Sequence, residues 1–175
     1  MNSIGIETNI QRMNAEKMDF EDKTFDLIWS WGVLHHSSNT EKILNEIHRV
    51  LKPGGEAIVM VYYRGFWNYY VIGLLFFGIF KGDLFRTGSL HKTIQKNTDG
   101  AIARYYSVSD WRNLVLKNFR MQEVMVRGDK TALVPLPRGR VKEFIMSCIP
   151  IRLSRFLTGS CRMGPHLVTR LKRVD

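Results

Sequence analysis

The sequence contains very little cysteine. Only Cys148 and Cys161 occur among 175 residues, and they form no C-x-x-C pair and have no nearby histidine at metal-ligand spacing. A disulfide-stapled fold and a metal site are therefore not expected, and both thiols should be free, as is usual in a reducing compartment.

Long apolar runs are also missing. The most apolar segment, residues 66–80, has 15 residues, fewer than the roughly 20 that a helix needs to cross a bilayer. Residues 1–10 have neither the basic start nor the apolar core of a secretory signal. These absences favour a cytoplasmic location, with peripheral contact at a membrane left open.

Acidic residues become scarce along the chain. The net charge is +10 overall, but it is −3 over residues 1–60, +6 over 61–137 and +7 over 138–175. A basic half can attract anionic lipid, nucleic acid or an acidic substrate, or it can be a solvated face without a partner. Aromatics interleave with the last basic segment only at Phe144 and Phe156. A nucleic-acid partner is therefore not expected.

What is present is a globular composition, with 45% hydrophobic and 24% charged residues. Residues 25–31 and 56–63 are mostly apolar and rich in strand-forming types, which predicts two buried strands. A helix between them would make the pair a βαβ unit with parallel strands and a right-handed crossover.

The segment between these strands has a strong helical pattern. Ser38 and Glu41 have the spacing of a capping box. One apolar stripe of helical period follows, formed by Ile43, Leu44, Ile47, Val50 and Leu51. The Pro53-Gly54-Gly55 triplet then predicts the end of the helix.

Residues 66–80 allow three interpretations. They could form a buried or lid helix over a substrate pocket, a helix lying on a membrane surface, or a transmembrane span. The polar segment 81–106 that follows predicts a long loop, and loops of that length tend to be functional.

The remaining chain predicts further elements of the same domain. Ser107 and Asp110 form an N-cap pair for a helix running to about Asn118. The other predictions are a strand at 119–127, helix over 141–157 interrupted at Pro150, and a closing strand at 165–173.

Four short motifs occur in one order and at one spacing. They are Asn14-Ala15-Glu16, Phe20 to Asp26 (FEDKTFD), Gly32 to His36 (GVLHH) and Arg49 to Gly55 (RVLKPGG). The series resembles the second half of class I (Rossmann-like) S-adenosylmethionine-dependent methyltransferases, in the type-11 branch with the ubiquinone and menaquinone methyltransferases. The resemblance covers residues 9–64 and continues more thinly from His91 to Ser107.

The resemblance implies an α/β fold of which this chain holds a part. No G-x-G motif precedes residue 14, so the first two strands and the glycine-rich loop of the family are lacking. In the family those two strands lie between the third strand and the fourth. Residues 9–13 would be the end of the third strand, without its neighbour, and the strand at 25–31, as the fourth, should have an exposed edge. Residues 1–64 are then the C-terminal part of the cofactor-binding core. Residues 65–106 form a helical insertion after the fifth strand, as a lid or substrate region, and 107–175 close the domain.

The resemblance also implies a cofactor, S-adenosylmethionine, and three residues that would contact it. Asn14 and Ala15 match the loop that holds the adenine, through a side-chain amide and a backbone N–H. Ser30 matches the residue at the end of the fourth strand that contacts the methionine part. A turn residue and a small buried residue are the structural alternatives.

Candidate catalytic residues follow the same strand. His35 or His36 could take a proton from an attacking group as a general base, or both could simply cap the following turn. Asp99, Arg104 and Tyr106 could line a substrate pocket, or form a surface turn.

Two functions are compatible with these residues. The first is methyl transfer to a small hydrophobic acceptor such as a lipid or a quinone, by a fragment expected to bind the cofactor poorly alone. The second is a non-catalytic membrane-surface or interaction protein derived from a methyltransferase.

Overall fold

The computed structural model describes residues 9–98, 102–136 and 139–174. Its strands are β1 (Phe25–Trp31), β2 (Leu51–Tyr63), β3 (Tyr105–Tyr106), β4 (Phe119–Arg127) and β5 (His166–Arg173). Its α-helices are α1 (Thr40–Val50), α2 (Asp83–Thr87), α3 (Leu90–Lys96), α4 (Val108–Val115), α5 (Arg140–Cys148) and α6 (Ile151–Arg155). A wider helix with π-type hydrogen bonding spans Phe66–Phe80.

The strands form one mixed sheet in the order β1-β2-β5-β4, with the short β3 paired in parallel to the end of β2. β1 and β2 are parallel and joined through α1, which confirms the predicted βαβ unit. β5 is antiparallel to both β2 and β4. The carboxyl ends of β1, β2 and β3 therefore meet at one edge of the sheet, where ligands of open α/β sheets bind.

The start of α1 differs from the prediction. The N-cap is Asn39, whose Oδ1 accepts from the backbone N–H of Lys42 at 3.1 Å. The prediction of a capping box at Ser38 is wrong, because the Ser38 hydroxyl donates instead to the Glu16 carboxylate at 2.8 Å. Local spacing cannot reveal this competing partner, since it lies 22 residues upstream.

The hydrophobic core lies on one face of the sheet. The apolar stripe of α1 and the buried side of α4 pack there against inward-facing residues of β2, β4 and β5. The largest of the fully buried side chains is that of Trp111, whose indole N–H donates to the Thr169 hydroxyl at 3.0 Å. A long-range polar contact thus locks α4 onto β5 inside the core.

The opposite face of β1 is uncovered, so the prediction of a buried strand at 25–31 is wrong for half of its side chains. Ile28 packs against the core, but Trp29 is 62% exposed and Trp31 is 47% exposed. The two indole rings stack with centroids 5.4 Å apart. Parallel sheets are normally covered on both faces. Large apolar side chains here therefore fit a fold of which one layer is absent from the described residues.

The outer edge of β1 carries no partner strand within the described residues, as expected for a partial fold. Residues 9–13 form no strand there, and only an isolated bridge joins Asn14 to Lys17. A strand needs a neighbouring strand for its backbone hydrogen bonds. The predicted strand end at 9–13 consequently does not form in this structure.

The segment after β2 is more structured than its polarity suggests. Residues 66–80 are helical, as predicted, but residues 81–106 are not simply a loop, because they contain α2, α3 and β3. The carboxylate of Asp83 ties α2 to α3 by accepting from Lys96 at 2.7 Å and from the amide of Asn97 at 3.0 Å. Short polar helices of this kind lack the apolar period that sequence analysis detects.

Within residues 9–98, 102–136 and 139–174, no helix combines the length and the apolar character that a bilayer span requires. The transmembrane interpretation of residues 66–80 is therefore the one of the three that the geometry contradicts.

The last third of the chain follows the predictions closely. Ser107 and Asp110 form a reciprocal capping box for α4, which ends at Val115 rather than near Asn118. The strand at 119–127 and the closing strand both form, and Pro150 separates α5 from α6.

Candidate active site

The candidate site is built around the loop that follows β1. A short 3₁₀ turn spans Leu34–His36, and the hydroxyl of Thr40 donates to the carbonyl of Leu34 at 3.1 Å. The chain then enters α1, so this loop lies at the carboxyl end of a parallel strand. Loops in that position carry the ligand-binding residues of open α/β sheets.

Glu16 joins the turn at Asn14–Lys17 to this loop. Its carboxylate accepts from the hydroxyls of Ser37 and Ser38, at 2.6 and 2.8 Å, and from the backbone N–H of Asn39 at 3.1 Å. These bonds, led by that of Ser37, lower the pKa of Glu16. Asn14 and Ala15 are thereby held next to the loop of residues 32–39 between β1 and α1, which we call the histidine loop. Glu16 belongs to the Asn14-Ala15-Glu16 motif, but the motif by itself predicts no role for its carboxylate.

Asn14 itself makes a local bond. Its side-chain oxygen accepts from the backbone N–H of Glu16 at 2.9 Å, which is the geometry of an Asx turn. Asn14 is exposed, and Ala15 is half-buried against the core. Ser30 is half-buried at the carboxyl end of β1, where it pairs with Val59.

Arg104 holds the same loop from the opposite side. Its guanidinium donates to the carbonyl of Ser38 at 2.7 Å and, more weakly, to that of Ser37 at 3.3 Å. Its backbone N–H donates to the backbone carbonyl of His35 at 2.9 Å. Arg104 therefore lies beside the candidate histidines, as a group that bonds the loop backbone.

The two histidines differ in their surroundings. His35 is fully buried, with its ring 3.8 Å from the Tyr62 ring and 4.2 Å from the His36 ring, centroid to centroid. His36 is half-buried, and its Nδ1 lies 2.9 Å from the carbonyl oxygen of Ile102. A carbonyl only accepts, so Nδ1 carries the proton and Nε2 of the neutral ring carries the lone pair.

Of the other two predicted substrate residues, Tyr106 contacts α1 rather than the histidines. The hydroxyl of Tyr106 donates to Thr40 at 2.8 Å, and its ring packs edge-on against Trp111 at 5.2 Å. Tyr106 thus braces the start of α1. Asp99 lies outside the described residues.

Aromatic rings extend the site beyond what the sequence predicted. We define the His/Tyr cluster by its members: His35, His36, Tyr62, Tyr69, His91, Tyr105 and His166. Tyr62 stacks on Tyr105 at 5.2 Å, Tyr105 contacts Tyr69 at 5.3 Å, and the Tyr69 hydroxyl lies 3.4 Å from Nδ1 of His91. The cluster connects the histidine loop to the 66–80 helix, which carries Tyr69. The two Tyr-Tyr pairs, at 62–63 and 105–106, are the feature of the sequence that could have indicated this cluster.

Burial changes the proton affinity of two cluster members. It raises the pKa of Tyr69, so this phenol stays neutral at physiological pH. Burial also lowers the pKa of His166, and nearby Asp129 only partly opposes the shift.

The lowered pKa of His166 should make stability pH-dependent. Between that pKa and the ordinary value of about 6.5, the unfolded chain binds a proton that the folded protein does not. The free energy of unfolding should therefore fall as pH falls through this window. Urea titrations at several pH values above the carboxylate range, on wild type and His166→Gln, measure it. Equal pH slopes for the two proteins would contradict the assignment.

Residues 2–59 match the family described as "Methyltransferase domain". That range contains the Asn14 turn, β1, the histidine loop, α1 and the first part of β2.

Curated relatives match over similarly short lengths. A sterol 4-C-methyltransferase of Caenorhabditis elegans is 48% identical over 46 residues, which are 26% of this chain and 14% of that protein. A ubiquinone/menaquinone biosynthesis C-methyltransferase of Klebsiella pneumoniae is 40% identical over 62 residues, 34% of this chain and 25% of the relative. The chain thus matches a quarter or less of the length of these relatives.

A solved structure matches over nearly the whole chain. A structure described as "Complex between the Haloferax volcanii Trm112 methyltransferase activator and the putative methyltransferase" superposes with a TM-score of 0.56 at 16% identity. The match covers 93% of this chain and 60% of that one. At this identity the likeness shows the fold alone, and its coverage agrees with a partial Rossmann-like fold.

Proposed function

We propose that this chain, which carries part of a class I methyltransferase domain, takes part in S-adenosylmethionine-dependent methyl transfer to a small hydrophobic acceptor. The observation that supports this most is the link made by Glu16, which holds the Asn14 turn against the histidine loop. The predicted cofactor-binding and catalytic residues thereby share one edge of the sheet.

The residues present fit one side of such a cofactor. Asn14 offers an exposed amide, and Ser30 offers a hydroxyl at the end of β1. No described residue takes the part of the glycine-rich loop, since that motif is not in the sequence. When bound, the cofactor would supply a methyl group activated by a sulfonium. Positioning and exclusion of water are then the main tasks of the protein.

We assign the role of general base to His36 rather than His35. The Ile102 carbonyl fixes the proton on Nδ1 of His36 and directs the lone pair of Nε2 away from that contact. His35, fully buried against Tyr62, acts as a positioning residue.

A hydrophobic acceptor is supported by the 66–80 helix. Tyr69 brings this helix to the His/Tyr cluster, so the 65–106 region can serve as the substrate lid. Its exposed Phe66 and Phe80 would suit a peripheral membrane contact from which a lipid-like acceptor enters. The non-catalytic alternative has less support, because the two curated relatives described above are both named as methyltransferases.

Cofactor binding tests the proposal. The first half of the Klebsiella relative, joined before residue 2, should supply the glycine-rich loop and give S-adenosylmethionine a dissociation constant below about 1 mM by calorimetry. The unextended chain should bind more weakly. Within the extended protein, Asn14→Ala should weaken binding, while Asn45→Ala on the exposed side of α1 should not.

A reciprocal exchange keeps the test decisive if that fusion does not fold. Residues 2–59 replace the matching segment of the Klebsiella enzyme, and its cofactor binding is measured. A folded exchange protein that binds no S-adenosylmethionine would refute the proposed function.

A further inference from the structure

A cavity of about 360 Å³ lies beside the 66–80 helix, and none of the residues that line it belongs to the His/Tyr cluster. One wall is formed by Ile72, Phe76 and Phe77 of that helix, and the facing wall by Val134, Pro135 and Leu136. The indole N–H of Trp67 donates to the carbonyl of Ala132 at 3.3 Å and joins the two walls. A mostly apolar cavity of this size is typical of small-molecule sites.

Two lysines are the charged groups of this cavity. Lys81 and Lys142 line it, together with the neutral polar residues Asn68 and Thr131. None of the lining residues is acidic in the part of the chain that the structure describes. A purely apolar ligand would give the two ammonium groups no opposite charge, whereas an anionic head group would complement them.

The present contacts of the lysines leave them available. The ammonium of Lys81 lies 4.8 Å from the Phe77 ring centroid, and that of Lys142 lies 3.5 Å from the Thr131 carbonyl oxygen. Neither lysine pairs with a carboxylate among the described residues. A ligand anion would therefore not have to displace an ion pair, and charge-assisted hydrogen bonds would be gained.

We propose that this cavity binds a single-chain amphipathic anion, with an apolar tail between the walls and a carboxylate or phosphate head at Lys81 and Lys142. The site is distinct from the proposed methyl-transfer edge, and its occupation does not depend on methyl transfer. Asn68 lines the cavity and the adjacent Tyr69 belongs to the His/Tyr cluster, so a ligand here lies one residue from that cluster along the chain.

Binding of matched probes tests the proposal. Calorimetry with dodecanoate, dodecyl phosphate, dodecanol and dodecylamine, each below its micelle concentration, separates tail from head group. We expect both anions to bind about tenfold more tightly than the alcohol, and the amine more weakly than the alcohol. Equal affinities for anion and alcohol would overturn the assignment of the lysines.

Variants locate the site. Lys81→Gln with Lys142→Gln should reduce anion affinity about tenfold and leave dodecanol binding unchanged. Lys92→Gln, at an exposed position of α3, is the matched control and should change neither. Ala132→Phe should fill the cavity and weaken every probe, with circular dichroism confirming the fold. Unchanged binding in both cavity variants would refute the site.

A membrane surface is the competing source of the same head group. Sedimentation with phosphatidylglycerol vesicles distinguishes the two. If vesicles retain the protein while dodecanoate and dodecyl phosphate do not bind, the lysines face a lipid surface and the cavity proposal fails. If the free anions bind, the proposal stands, and the outcome of the cofactor experiment has no bearing on it.

Discussion

Replacing Trp111 with alanine is expected to cost about 3 to 5 kcal/mol of unfolding free energy. Its side chain points from α4 into the hydrophobic core, where it is fully buried, and its indole N–H donates to the Thr169 hydroxyl. Truncation would leave a cavity at the centre of the core and remove the donor from a buried acceptor. Domains of this size are stable by only about 5 to 15 kcal/mol, so much of the folded population would be lost.

Trp29→Ala is the matched control, because the same atoms are removed from the uncovered face of β1. Trp29 is 62% exposed, and we expect a change within about 0.5 kcal/mol. Urea denaturation followed by circular dichroism compares the two variants with wild type. Similar losses in both would show that the core does not lie where the structure places it.

Gly164→Ala is the second substitution with a large expected effect. A Cβ at this position would overlap the carbonyl of Arg127 and lie 2.8 Å from the carbonyl oxygen of Thr158. A backbone shift at Gly164 is opposed, because its N–H already donates to the backbone carbonyl of Thr158 at 2.9 Å. Overpacking against backbone atoms should cost about 3 kcal/mol, measured as a lower urea midpoint.

Gly139→Ala provides the control for this change. Among the described residues, and apart from its neighbours in the chain, no atom lies within 4 Å of the Cβ that would be added there. We expect a shift within about 0.5 kcal/mol. The Gly164 variant should also disturb the 66–80 helix, since the side chain of Asn68 donates to the carbonyl of the adjacent Met163. A wild-type urea midpoint for Gly164→Ala would contradict the close approach of β4 and the 158–164 segment.

The elements that the sequence predicted correctly have strong local signals. The apolar stripe of α1, the capping box at Ser107 and the run at 119–127 each gave the right element within a few residues. The predictions that failed concern either a residue with a competing hydrogen-bond partner or helices with a weak sequence pattern. Ser38 lost its capping role to a bond with Glu16, and the polar helices α2 and α3 carry no apolar period.

The candidate site was only partly accessible to the same reasoning. The motifs predicted Asn14, His35, His36 and Arg104, but the sequence could not choose between the histidines. That choice rests on the burial of His35 and on the Ile102 carbonyl, which is 66 residues from His36. The roles of the predicted residues in cofactor and substrate binding stay predictions.

The sequence by itself determined the βαβ unit, the family resemblance and the lack of a glycine-rich loop, because periodicity and short motifs are properties of neighbouring residues. The tertiary structure decided which face of β1 is covered, how Glu16 and Arg104 hold the histidine loop, and where the lysine-lined cavity lies. Each of these depends on contacts between residues far apart in the chain, and no local pattern records such contacts.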